Sequence, residues 1–167
     1  MSLAEVDGAG LARPGLTRRR VMAAAALLGS GVCTAQAAPA TLPRAVSLQH
    51  ALAQALQQGQ PLVVMVSLEG CPFCKVVREH LAPMQRQQGL PVVQVDMRSA
   101  RTLADFQGLG VSHEVMIRQW GIQIAPTVLF FGRQAQEVAE RLAGASIPDF
   151  YGAYLDDRLA QARARLR

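Results

Sequence analysis

From residue 47 onward two kinds of apolar pattern alternate along the chain. Leu62-Val63-Val64-Met65-Val66 and Leu90-Pro91-Val92-Val93-Gln94-Val95 are short, nearly continuous apolar runs, as expected of strands buried on both faces. They predict strands over 61–67 and 90–97, and a third follows directly on Pro126 over 127–131. Elsewhere apolar residues recur at spacings of three and four. Leu48, Ala51, Leu52, Ala55 and Leu56 predict a helix over 47–58, capped by Ser47 and ended by Gly59. Phe73, Val76, Val77, Leu81 and Met84 predict a longer helix over 72–87, kinked at Pro83 and closed by Gly89. The first two strands and that helix make a parallel βαβ unit. Residues 99–121 are less regular: 102–106 read as helical, Gly108 to Gly110 break the pattern, and 112–120 read as a further helix. After the third strand come a turn over 132–134 and an antiparallel partner strand over 137–142. A terminal helix then runs to about residue 164. Ser146 caps it with Asp149 three residues on, and Phe150, Tyr154, Leu155 and Leu159 face inward. The order βαβ, connecting helices, ββα describes one α/β domain with a central mixed sheet flanked by helices.

The start of the chain follows a different logic. Thr17-Arg18-Arg19-Arg20 precedes an apolar core from Val21 to Val32, and small residues end the segment at Ala35-Gln36-Ala37. A basic region, a short apolar core and an A-x-A site describe an export signal. The core of about 12 residues falls well short of the roughly 20 that a membrane-spanning helix needs. The paired arginines fit a twin-arginine signal. Val21, Met22 and Ala23 depart from the usual Phe-Leu-Lys, and a Sec signal fits equally. Val32 is too large for the residue before a lipoprotein cysteine, so Cys33 is read as leaving with the signal. The expected organisation is therefore a signal over 1–37, a loose segment over 38–46 and the folded domain over 47–167, in an exported, periplasmic protein.

Removing the signal changes the charge. The chain has 17 Lys and Arg against 12 Asp and Glu; residues 1–37 hold four arginines and two acids, leaving 13 against 10. The remaining arginines are scattered and aromatics make up 5% of the chain, which points away from nucleic acid. Nothing in the pattern demands more than a monomer.

The candidate chemistry sits at the first strand-to-helix junction, in Cys71-Pro72-Phe73-Cys74. Without the signal these are the only two cysteines. Two thiols separated by two residues can form a small reversible disulfide, Cys71–Cys74, and unpaired N–H groups at a helix start favour a thiolate. In an oxidising compartment such a bond persists. A structural disulfide and half of a metal site are the competing readings. A c-type haem site is excluded by Lys75, which stands where that motif needs His.

Two motifs carry a family resemblance over about 45–165. One is Glu69-Gly70-Cys71-Pro72-Phe73-Cys74-Lys75; the other is Trp120-Gly121-Ile122-Gln123-Ile124-Ala125-Pro126-Thr127-Val128-Leu129-Phe130-Phe131. Joined at this separation, they resemble the thioredoxin superfamily, and most closely its small exported members, including those linked to bacterial sulfur oxidation. The resemblance implies a thioredoxin fold and thiol–disulfide exchange without a bound cofactor or metal. It makes Cys71 the exposed nucleophile and Cys74 the buried resolving thiol. It places a cis Ala125–Pro126 bond opposite them, with Pro72, Phe73, Ala125 and Pro126 forming the substrate contact; an ordinary strand-entry proline is the plainer reading of Pro126. The implied partners are client proteins with disulfides or thiols and a membrane thiol-reductant transporter.

The chain also departs from that family. Thioredoxins carry a buried Asp six residues before the first cysteine, where this chain has Met65; Gly70 replaces their Trp; and Pro-Phe replaces Gly-Pro. There is no room for the helical insertion of disulfide oxidases or the dimerisation domain of isomerases, which favours a plain reductase. The rival reading is a thioredoxin-fold carrier of a soft ion such as Cu(I), for which His113 would have to lie near Cys71. Otherwise His50, His80 and His113 read as surface or capping residues, Lys75 and Glu69 as solvated, and Trp120 and Phe106 as core anchors.

Overall fold

The computed structural model describes residues 40–145 and 147–167; the export signal expected over 1–37, with Cys33, and the cap expected at Ser146 lie outside the described residues. In chain order the elements are α1 (Leu48–Gln57), β1 (Leu62–Ser67), α2 (Pro72–Gln88), β2 (Val92–Asp96), β3 (Thr102–Ala104), β4 (Gly110–Ser112), α3 (His113–Gln119), β5 (Thr127–Phe131), β6 (Leu142–Ala143) and α4 (Tyr151–Leu166). The main sheet has the order β2-β1-β5-β6. β2 runs parallel to β1, and β5 is antiparallel to both β1 and β6. This is the mixed sheet expected from the sequence.

All six residues of β1 and all five of β5 are buried. Alternation sends them to opposite faces. Val63, Met65, Val128 and Phe130 pack with Val77 and Leu81 of α2 and with Tyr151, Leu155 and Leu159 of α4. Leu62, Val64, Val66, Leu129 and Phe131 pack with Leu48, Leu52 and Ala55 of α1 and with Met116 and Ile117 of α3. The two layers hold β1 at the centre, so the loop leaving its C-terminal end is fixed in position.

Local chemistry sets the element ends. Ser47 Oγ accepts the His50 N–H at 3.1 Å and starts α1. Helix α2 runs through Pro83 and ends at Gly89, whose φ of 67° suits glycine. Residues 43–46, part of the segment expected to be loose, are tied down: Gln94 N–H donates to Pro43 O, Ala45 N–H to Gln94 O and Ala104 N–H to Val46 O, at 2.8–2.9 Å.

Three expectations are corrected. Residues 102–106 are not helical; β3 and β4 form a hairpin. Buried Asp105 governs it, its Oδ1 accepting the Gln107 and Leu109 N–H groups at 2.8 Å each, a turn that competes with helix. The strand expected over 137–142 reduces to a single bridge at Glu137 and the two residues of β6. Arg141 and Glu137 form an ion pair across this segment, with the Arg141 Nε also donating to Glu137 at 3.1 Å. Finally, α4 starts only after a 3-10 turn over Pro148–Phe150. Its inward face is Tyr151, Leu155, Leu159, Ala162 and Leu166, while Phe150 and Tyr154 are exposed.

Candidate active site

A tight turn connects β1 to α2. Cys71 N–H donates to Leu68 O at 3.2 Å, and Gly70 has a φ of 72°, a conformation that glycine adopts without steric cost. Cys71 is then the N-cap of α2. Its sulfur accepts the Cys74 N–H at 3.3 Å, and its carbonyl accepts the Lys75 N–H at 3.3 Å. The sulfur therefore takes the place of a capping oxygen and points at the free N–H groups of the first turn, where negative charge is favoured. Pro72 at the first helical position lacks an N–H that the helix could not use there.

The two thiols differ in environment. Both are free; Cys71 is half-buried and Cys74 fully buried. Burial pushes the Cys74 thiol up, and its hydrogen bond with Cys71 adds to this; the Leu68 backbone and the Ser67 hydroxyl pull the other way. Ser67 Oγ in turn accepts from the Arg78 guanidinium at 2.8 Å. Arg78 sits one helical turn beyond Cys74, so both lie on the same face of α2. Tyr151, whose hydroxyl is buried without a partner among the described residues, packs in the same core; burial raises its phenol first and the neighbouring Cys74 second. Met65, standing in the position of the family's aspartate, is fully buried in this cluster.

The loop before β5 closes the other side. The Ala125–Pro126 peptide is cis, and the Cys71 thiol donates to Ala125 O at 3.8 Å. Thr127 Oγ1 donates to Ile124 O at 2.8 Å and holds the loop. Pro126 is buried, while Phe73 and Ile124 are each about half exposed. Cys71, Cys74, Pro72, Phe73, Ala125 and Pro126 are therefore brought together at one junction. Ser67, Arg78 and Tyr151 join them without having been singled out in the sequence; only the four-residue step from Cys74 to Arg78 could have pointed to one of them.

The remaining candidates lie apart. Lys75 is exposed and faces Glu79 at 3.8 Å, and Glu69 is exposed. His113 corrects its surface reading: it is fully buried at the start of α3, and its Nδ1 accepts the Asp96 N–H at 2.9 Å. Helix α3 packs against the sheet face opposite to α2, so His113 cannot serve a metal at the cysteines. Among the described residues no cluster of three His, Cys, Asp or Glu side chains could hold a metal ion, and no helix is long and apolar enough to cross a membrane. Trp120 and Phe106 pack with Phe131, ring centres 4.7–6.4 Å apart.

Residues 48–159 match the family model of a thioredoxin-like domain. No curated protein sequence matches the chain. Among solved structures it is similar to a thioredoxin from Thermus thermophilus, at 20% identity over 72% of this chain and 87% of that one, with a TM-score of 0.46. Trxlp from Edwardsiella tarda is 23% identical over 66% of this chain and 98% of its own, at 0.43. The periplasmic thioredoxin SoxS from Paracoccus pantotrophus is 20% identical over 62% and 99%, at 0.41.

Proposed function

Because this chain belongs to the thioredoxin-like family, we propose that it is an exported thiol–disulfide oxidoreductase that reduces protein disulfides through Cys71 and Cys74. The observation that carries this reading is the position of Cys71, half-exposed at the N-cap of α2 with the buried Cys74 one turn behind it. The Cys71 thiolate attacks one sulfur of a client disulfide, forming a mixed disulfide and releasing the other client sulfur as a thiolate. The Cys74 thiolate then attacks the Cys71 sulfur, closing the Cys71–Cys74 disulfide and releasing the second client thiolate. Two electrons pass to the client, and the protons of the two protein thiols end on the client's thiols or in solvent.

Phe73, Ala125 and Pro126 form the rim against which an extended client segment lies, with Pro72 fixing the start of α2. Neither Pro72 nor Phe73 adds a cation beside the thiolate, which supports a donor of electrons over an oxidant. The leader pattern ending at Ala37 supports export to the periplasm, where a membrane thiol transporter would return the protein to its dithiol form. Small exported thioredoxin-like proteins, including those linked to bacterial sulfur oxidation, are the subgroup this reading fits.

Insulin-disulfide reduction with a dithiol supply tests it. Cys71→Ser abolishes turnover, and Cys74→Ser accumulates mixed disulfides visible by non-reducing electrophoresis. Full activity in Cys71→Ser removes the reading.

A further inference from the structure

A second feature lies beside the cysteines and takes no part in the exchange itself. A cleft of about 900 Å³ is lined by the ends of β1 and β2 and by the loops that follow them. Its walls carry four guanidinium groups, Arg44, Arg78, Arg98 and Arg101, against two carboxylates, Glu69 and Asp96. Asp96 is already engaged, accepting from Arg44 Nε at 2.7 Å and from Gln94 Nε2 at 2.6 Å. Arg78 gives one N–H to Ser67 at 2.8 Å. Arg98 and Arg101 are exposed and their side chains have no hydrogen-bond or ion-pair partner among the described residues. Arg98 also has a φ of 55°, a left-handed conformation that is uncommon for a side chain of its size. The cleft thus holds a surplus of unpaired, planar cations.

Its place gives the surplus a purpose. Gly70, the residue before Cys71, forms part of the wall, is exposed, and has open space where a Cβ would stand. No side chain at that position separates the cleft from the nucleophile. Guanidinium groups bind carboxylates through paired N–H donors. A volume of about 900 Å³ is at the upper end of the range for small-ligand sites, enough for several peptide residues.

We infer that this cleft binds carboxylates of an anionic disulfide substrate and so directs acidic substrates onto Cys71. The inference rests on the reductase reading above and names its substrate class. Two sources present this chemistry, an acidic segment flanking the disulfide of a protein client and a free tripeptide disulfide such as oxidised glutathione.

The test uses the reduced full-length chain and matched substrates. One pair is a peptide whose internal disulfide is flanked by glutamates and its glutamine counterpart; the other is oxidised glutathione and its neutral ester. At low salt the acidic member of at least one pair is reduced about tenfold faster, as exposed charge pairs and steering allow, and salt shrinks the ratio. In Arg98→Gln/Arg101→Gln the ratio falls toward one, while Arg165→Gln, at the far end of α4, keeps it. A ratio confined to the peptides identifies a client segment, and one confined to glutathione identifies the free tripeptide; both support the cleft. Equal rates within both pairs, or a ratio that survives in the folded double variant, overturn it. Calorimetry with the reduced, S-methylated peptides reads the cleft without turnover: the glutamate peptide binds more tightly and loses that advantage in the double variant. Equal binding of the two peptides, together with equal rates within the glutathione pair, overturns the inference even if reduction succeeds. Tighter binding of the acidic peptide without reduction of any disulfide sustains the cleft and removes the reductase reading instead.

Discussion

The Ser67 hydroxyl accepts from Arg78 at 2.8 Å and hydrogen-bonds the Cys74 sulfur, so a cation stands one hydroxyl behind the resolving thiol. Met65, an apolar side chain, can neither take nor give a proton, whereas Ser67 gives the Cys74 sulfur a hydrogen-bonding partner. Burial raises the Cys74 thiol, and the Ser67 O–H opposes this by donating to the thiolate. Removing the hydroxyl leaves only the Leu68 backbone to oppose burial. Ser67→Ala should therefore slow resolution of the mixed disulfide by about threefold to tenfold near neutral pH, the worth of roughly 1 kcal/mol of hydrogen bonding. The pH profile of that step moves upward, and Ser67→Thr restores it. Stopped-flow kinetics of the trapped intermediate measures this; a rate and profile unchanged in Ser67→Ala would assign Ser67 to packing alone.

At the scale of elements, His113 latches α3 to β2. Its Nδ1 accepts the Asp96 N–H at 2.9 Å, so the ring proton sits on Nε2, which is buried and has no acceptor in hydrogen-bonding geometry among the described residues. Protonated, the ring has no acceptor to offer. Burial accordingly lowers the His113 pKa below 6.5, outweighing the raising effects of Asp96 and the Ala45 backbone, while Arg44 and Arg101 lower it further. With the folded pKa below the unfolded one, the unfolded chain binds the additional proton first. Stability is then highest above about pH 6.5 and falls as pH drops from there toward the lowered folded value. Urea unfolding at pH 7.5 and 5 should show a loss on the order of 1 kcal/mol or more. His113→Gln, less stable at the higher pH, should lose less on acidification; an equal loss in both proteins would place the titration elsewhere.

The elements also show what could be read from the chain. β1, β5 and the two long helices were legible because unbroken apolar runs and steps of three and four admit few alternatives. The hairpin at 102–112 was not, because Thr102-Leu103-Ala104 has no strand period and Asp105 exerts its effect through backbone bonds to residues two and four further on. The inward face of α4 was read only in part, Leu155 and Leu159 correctly but Phe150 and Tyr154 not, because its start is set by Pro148 and a 3-10 turn, not by a capping side chain. At the site, Cys71, Cys74 and the Pro126 loop were visible as motifs. Ser67 and Arg78 act through a contact between the end of a strand and the second turn of a helix, which no local pattern records.

For the whole molecule, the sheet holds a reactive sulfur and its partner between an apolar rim and a basic cleft. Phe73 and Ile124 expose about half of their surface on one side, and Arg98 and Arg101 stand on the other without a side-chain partner among the described residues. A disulfide substrate with an apolar flank and an acidic flank fits both. Whether the pair donates or accepts electrons depends on the relative stability of its dithiol and disulfide, across a range of roughly −270 to −120 mV for proteins of this fold. The uncharged Pro72-Phe73 step, which adds no cation beside the Cys71 sulfur, supports the proposed reducing role. The most direct measurement is the reduction potential of the Cys71–Cys74 pair, equilibrated against defined dithiol buffers. The account predicts a value nearer to about −270 mV; one near −120 mV would contradict it and make the protein a donor of disulfides.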